Sequence, residues 1–115
     1  MSTPPAALWS VATILQKQVE FATIDLWSEW DANKAAENLR KHKVSFNEAA
    51  TVFGDFLSTT AADPAHSAGE HRYITVGLSN LGRLLMVAHA ERGDRIRIIS
   101  ARTLTGSERR AYENT

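Results

Sequence analysis

"RYITVGLSNLGRLLMVAHAERGDRIRIISAR", residues 72–102, holds three strand-length runs rich in β-branched and large apolar residues, cut apart by the turn-forming "SNLG" and "RGD". Connections this short favour consecutive antiparallel pairing, so the stretch predicts a sheet at the centre of the fold. Period two then assigns sides. In the middle run Arg83, Leu85, Val87, His89 and Glu91 share one face, and Leu84, Met86, Ala88 and Ala90 the other. In the last run Ile96, Ile98 and Ser100 alternate with Arg95, Arg97, Ile99 and Ala101. One face can pack on helices while the other presents arginine, histidine and glutamate. A one-residue slip of register exchanges the two, so which face is exposed stays open.

Upstream, "SEWDANKAAENLRKHKVSF" predicts a helix capped by Asp31 and running to about His42. Ala32, Ala35, Ala36 and Leu39 form its apolar face; Lys34, Asn38, Lys41 and His42 recur at helical spacing as a basic, hydrogen-bonding stripe on the other. Ser45 and Glu48 have the spacing of a capping box, opening a second helix with Phe46, Ala49, Ala50 and Phe53 towards the core. Gly54 and Asp55 end it, and "FLSTT" reads as a short strand. Downstream, Thr105 and Glu108 repeat the box spacing before a short helix, "GSERRAYEN". The fold class is therefore α+β: two N-terminal helices on an antiparallel sheet of three to four strands, with a short C-terminal helix. Residues 1–27 stand apart as an N-terminal extension, read either as an extra helix with Leu8, Val11, Ala12, Leu15 and Val19 on one side, or as an upstream start or appended sequence; residues 28–115 form the domain.

The 115 residues carry equal numbers of basic and acidic side chains, which removes bulk attraction to nucleic acid or an acidic membrane. Distribution says more, because Arg83 to Arg110 contains seven arginines against three acids, a candidate anion-binding surface. Cysteine is absent, which excludes disulfides, thiolate metal sites and a cysteine nucleophile and suits a cytoplasmic protein. The apolar run near "AALWSVATIL" is too short to span a bilayer, so a soluble protein with no membrane partner is expected. Asp63, His66, Glu70 and His71 are metal-ligand types in the loop "AADPAHSAGEH", but their spacing matches no known site; neither a metal nor another cofactor is expected.

Taken together, "EWDANKAAENLRKHKVSFNEAATVFGD", "HSAGEHRYITVGLS", "GRLLMVAHAERGDRIRIISAR" and "SERRAYE" resemble, in this order over residues 29–113, the BrnT family of type II toxins. The resemblance implies a small RelE-like ribonuclease that arrests translation by cutting RNA. It also implies a BrnA-like ribbon-helix-helix antitoxin as partner, through which alone promoter DNA is contacted. Lys43 departs from the pattern, standing where the family usually turns with glycine, as do Phe56, where the family often has proline, and "HAER", where it more often has "HTER" or "YTER".

RNA can be cut without a metal because its 2′-hydroxyl is a nucleophile already beside the phosphorus. The protein must supply a base, an acid and cations for the charge that develops. Under this reading Arg97 and Arg102 clamp the scissile phosphate, since a guanidinium holds two phosphate oxygens and stays charged. His89, Glu91 and His42 are the candidate acid and base groups, with Lys34, Lys41, Arg83 and Arg95 binding the RNA backbone. Two other readings remain: a catalytically inactive toxin homologue that binds antitoxin as a corepressor, and a plain RNA-binding module. The module is disfavoured because the strand faces carry almost no stacking aromatics beyond Tyr73.

Overall fold

The computed structural model describes residues 28–64 and 71–114. The readings of residues 1–27, and of His66 and Glu70 as ligands, lie outside these residues. In chain order the elements are β1 (Ser28–Glu29), α1 (Ala32–His42), α2 (Phe46–Thr51) with a closing 3₁₀ turn (Val52–Gly54), β2 (Thr59–Ala62), β3 (Arg72–Leu78), β4 (Leu84–Arg92), β5 (Arg95–Thr103) and α3 (Gly106–Glu113). The expected meander is present as β3, β4 and β5. The sheet is nonetheless larger and mixed: five strands in the order β1-β5-β4-β3-β2, with β1 parallel to β5. A two-residue strand has no periodicity to read, and its partner lies far away in sequence. The strand expected at "FLSTT" starts later, because Phe56 and Leu57 turn, with Leu57 N donating to Asp55 Oδ1 at 3.0 Å.

Capping follows the residue types closely. Asp31 Oδ2 accepts from Lys34 N at 2.9 Å to start α1. Lys43, the residue in the usual glycine position, ends α1 in the left-handed region with φ 59°, its N–H donating to Leu39 O. Thr105 and Glu108 complete a reciprocal capping box on α3. On α2 only half the box forms: Ser45 Oγ accepts from Glu48 N at 3.0 Å, while the Glu48 carboxylate is drawn away to Ser79 and Arg83.

Packing settles the open question of sides. Val44, Phe46, Ala49, Ala50 and Val52 bury against Leu85, Val87, Ile98 and Ala101, with Trp30, Ala35 and Phe53 around them. The face of β4 that carries Leu85, Val87 and His89 is therefore inward. This corrects the expectation that histidine and arginine are presented together on one open face. On β5 strict alternation fails as well. The ladder shifts between Ala88 and His89, which oppose Ser100 and Ile98, so Ile99 faces no partner residue. Ile98 and Ala101, three apart, are both buried. Gly77 of β3 passes beneath the 3₁₀ turn so closely that a Cβ there would sit 2.8 Å from Ser58 Cβ.

Helix α1 also departs from its expected orientation. Leu39 of the apolar face is 49% exposed, whereas Asn38 of the polar stripe is 6% exposed. Asn38 Nδ2 donates to Ala101 O at 2.8 Å and to Val44 O at 3.0 Å, and Ala101 N donates to Asn38 Oδ1 at 3.1 Å. The side chain thus pairs with β5 as another strand would. Three hydrogen bonds make burial of the amide tolerable, and the helix docks through polar contacts as well as apolar ones.

Candidate functional site

Because Asn38 faces the sheet, its neighbours on the stripe are carried to the same margin. Lys34, Lys41 and His42 line a cleft with Glu37, Asn38, Ile99 and Ser100, the last two supplied by the irregular part of β5. Its volume is about 170 Å³, room for more than one water. Lys34 and Lys41 are exposed and His42 is half-buried. The basic residues of α1's last turn also complement the negative end of its dipole.

The arginines expected as clamps are each held by a carboxylate. Arg97 Nη1 lies 3.2 Å from Glu29 Oε2, and Arg95 Nε lies 4.0 Å from Glu29 Oε1, β1 having brought Glu29 opposite Arg97. Arg102 donates to both oxygens of Glu108, at 2.7 and 2.8 Å, and lies 3.3 Å from Met86 Sδ. Those bonds hold the Glu108 carboxyl down at about 2 and raise the guanidinium further. Arg97 opposes Ala90 and Arg102 opposes Met86, which places both arginines on the sheet face away from α1 and α2. Five residues apart, they would fall on opposite faces of a regular strand, and the irregularity at Ile99 reconciles them.

Arg83 is committed elsewhere. Its Nε donates to Glu48 Oε2 at 2.9 Å and its Nη2 to Lys43 O at 3.0 Å, with a further close contact to Glu48 Oε1. The Glu48 carboxyl, buried and also accepting from Ser79 Oγ at 2.7 Å, is held below the usual carboxylate range chiefly by Arg83. Arg83 therefore lies apart from the cleft, as a strut joining α2 to the start of β4.

His89 sits in the interior, 5% exposed, with its Nε2 2.7 Å from Thr75 Oγ1, which lies 2.7 Å from Thr60 Oγ1. Phe53 meets its ring edge-on and Tyr73 stacks on it. Burial pushes its pKa down to about 4, so the imidazole is neutral near pH 7, and among the described residues Nδ1 has no hydrogen-bond partner. Glu91 lies exposed near the end of β4. The two are not brought together with His42 in the cleft. Among the described residues no group of three or more histidine and acidic side chains could hold a metal.

Sequence reasoning missed three residues of this arrangement. Glu29 lay in a segment without strand character, Glu108 read only as a cap, and Ser100 was assigned to a face without a role. For Glu29, the placement of an acid beside "WD" at the start of the matched pattern was the sole available signal.

A family model described as "Ribonuclease toxin, BrnT, of type II toxin-antitoxin system" matches residues 30–108. Among solved structures, the chain is similar to the 1.1 Å crystal structure of the Brucella abortus ribonuclease toxin BrnT. The identity is 24% and the TM-score 0.54, over 66% of this chain and 92% of that one. No curated protein gives a significant match.

Proposed function

This chain belongs to the BrnT family of ribonuclease toxins of type II toxin–antitoxin systems, and from that premise we propose that it is a metal-independent endoribonuclease that cuts RNA by 2′-hydroxyl attack. One observation carries the reading: α1 and β5 gather two lysines and a histidine, Lys34, Lys41 and His42, with Ser100 in one cleft. Lys34 and Lys41 hold the RNA backbone there. His42 exchanges the proton, being accessible where His89 is interior and neutral. His89 then keeps the strands in register. Arg95 and Arg97 bind the neighbouring phosphate once it displaces Glu29, an exchange of one anion for another. Arg102 supports the same sheet face from its pairing with Glu108. Arg83 and Glu91 contribute at a distance, through the fold and the surface charge. In the reaction His42 takes the 2′-hydroxyl proton as the 2′-oxygen bonds to phosphorus, the bond from phosphorus to the 5′-oxygen breaks, that oxygen leaves with the proton returned by His42, and a 2′,3′-cyclic phosphate remains.

The family implies an antitoxin partner. We take it to be BrnA-like, with a ribbon-helix-helix fold, meeting promoter DNA in the toxin's place, and the complex to reside in the cytoplasm. No helix among the described residues is long and apolar enough to cross a membrane.

A second reading, an inactive homologue serving as corepressor, draws support from one feature: Arg97 and Arg102 are both tied to carboxylates and His89 is sealed inside. Incubation of antitoxin-free protein with a defined RNA in EDTA separates them. Cutting that leaves a cyclic phosphate, stops with a 2′-deoxy sugar at the cut and falls at least about a hundredfold in His42→Ala supports the enzyme. Absence of cutting on free RNA and on translating ribosomes supports the corepressor.

A further inference from the structure

The two margins of the sheet end differently. At the β5 margin β1 occupies the Arg97 region and Asn38 takes both backbone groups of Ala101. At the other margin β2 is the last strand, and all four of its residues are exposed. The phase of its ladder follows from one bond just beyond it: Asp63 N donates to Arg72 O at 3.0 Å. Hydrogen-bonded and non-bonded pairs alternate in an antiparallel ladder, so Thr59 and Ala61 bond inward to β3, while Thr60 and Ala62 turn N–H and C=O outward. Among the described residues no strand lies beyond them. Thr-Thr-Ala-Ala has no charge and no proline to discourage pairing. Beside this edge, Ala61, Pro64, Ile74 and Val76 shape a shallow groove, and the described residues that line it carry no charge.

We infer that the outer edge of β2 is the docking strand for an extended, uncharged segment of the antitoxin, which adds to the sheet as a sixth strand. The inference rests on the family reading, which supplies an antitoxin. Outward backbone groups at Thr60 and Ala62 select an extended chain, and the uncharged groove selects small or apolar side chains on every second residue. A second copy of this chain fits less well. Self-pairing of a four-residue strand buries far less than the roughly 1,200 Å² that a stable interface needs. An antitoxin can add the strand to contacts made elsewhere.

The test is amide hydrogen exchange of the full chain, alone and bound to the antitoxin encoded beside it, together with the affinity of two variants. Ala62→Pro removes an outward N–H and no inward bond, and Ala61→Lys places a charge in the groove. Expected are slowed exchange at Thr60 and Ala62 in the complex only, and affinity about tenfold weaker in either variant at unchanged melting temperature. A complex that leaves both amides exchanging freely overturns the docking alone, and because exchange is read on the unaltered protein it holds even if a variant misfolds. No complex at all overturns the docking together with the antitoxin reading. Protection that grows with concentration in the free chain assigns the edge to a second copy and overturns it too.

Discussion

Basic side chains meet the helical layer at two places, and the chain treats them in opposite ways. At the α2 corner Arg83 is consumed: its guanidinium donates to a buried carboxylate and a backbone carbonyl, joining elements 35 residues apart. At the α1–β5 cleft no ion pair among the described residues holds Lys34, Lys41 or His42. A cation paired with a buried carboxylate stabilises the fold and has no capacity left for a ligand; an unpaired one on a wet margin does little for stability and can bind an anion. Richness in arginine between residues 83 and 110 is therefore a poor guide to function until each partner is known.

The largest test of that contrast is Arg83→Ala, which leaves Glu48 buried without its cation. We expect a loss of about 3–5 kcal/mol in urea unfolding, and an unchanged midpoint would mean the corner is wetter than its packing indicates. Next comes pH. Folded His89 resists protonation until about pH 4, whereas the unfolded imidazole takes up a proton near its ordinary 6.5. Its contribution is complete above about pH 6.5 and declines as pH falls towards 4, by up to about 3 kcal/mol. His89→Phe should flatten stability across that window, and a slope that persists would locate the titrating group elsewhere. The Glu108 carboxyl acts lower, its contribution fading from its ordinary 4.5 as pH falls through about 2.

Asn38 stands on the boundary between the two regimes, since it belongs to the cleft yet is buried. Asn38→Ala strips Ala101 and Val44 of their partners and should cost about 2–3 kcal/mol in thermal unfolding. Lys43→Gly should instead stabilise by about 1 kcal/mol, because glycine accepts φ 59° without strain. Smallest in stability are Lys34→Ala and Lys41→Ala, within about 0.5 kcal/mol of the parent, although both should weaken RNA binding in a filter assay. A large melting shift in either would end the distinction drawn above.

Local chemistry was legible in the sequence wherever a residue acts on its near neighbours. Asp31, Ser45 and Thr105 cap the helices where their side chains predict, and the short turns after Leu78 and Arg92 return the chain on itself as a meander. Lys34, Lys41 and His42 were grouped correctly by helical spacing alone, because 3.6 residues per turn is a property of the backbone. What spacing could not say was which way the group faces. Asn38 made the polar stripe the docking side, a choice that depends on the backbone of Ala101, 63 residues away. The same limit hid β1, the irregularity at Ile99 and the carboxylates of Glu29 and Glu108 on the arginines. By itself, then, the sequence determined the helices, their caps, the β3–β5 meander and the family pattern, since these rest on short-range sterics and hydrogen bonds. Tertiary structure alone decided that His89 is interior, Arg83 is locked and, among the described residues, β2 ends the sheet, because burial and pairing are set by residues distant along the chain.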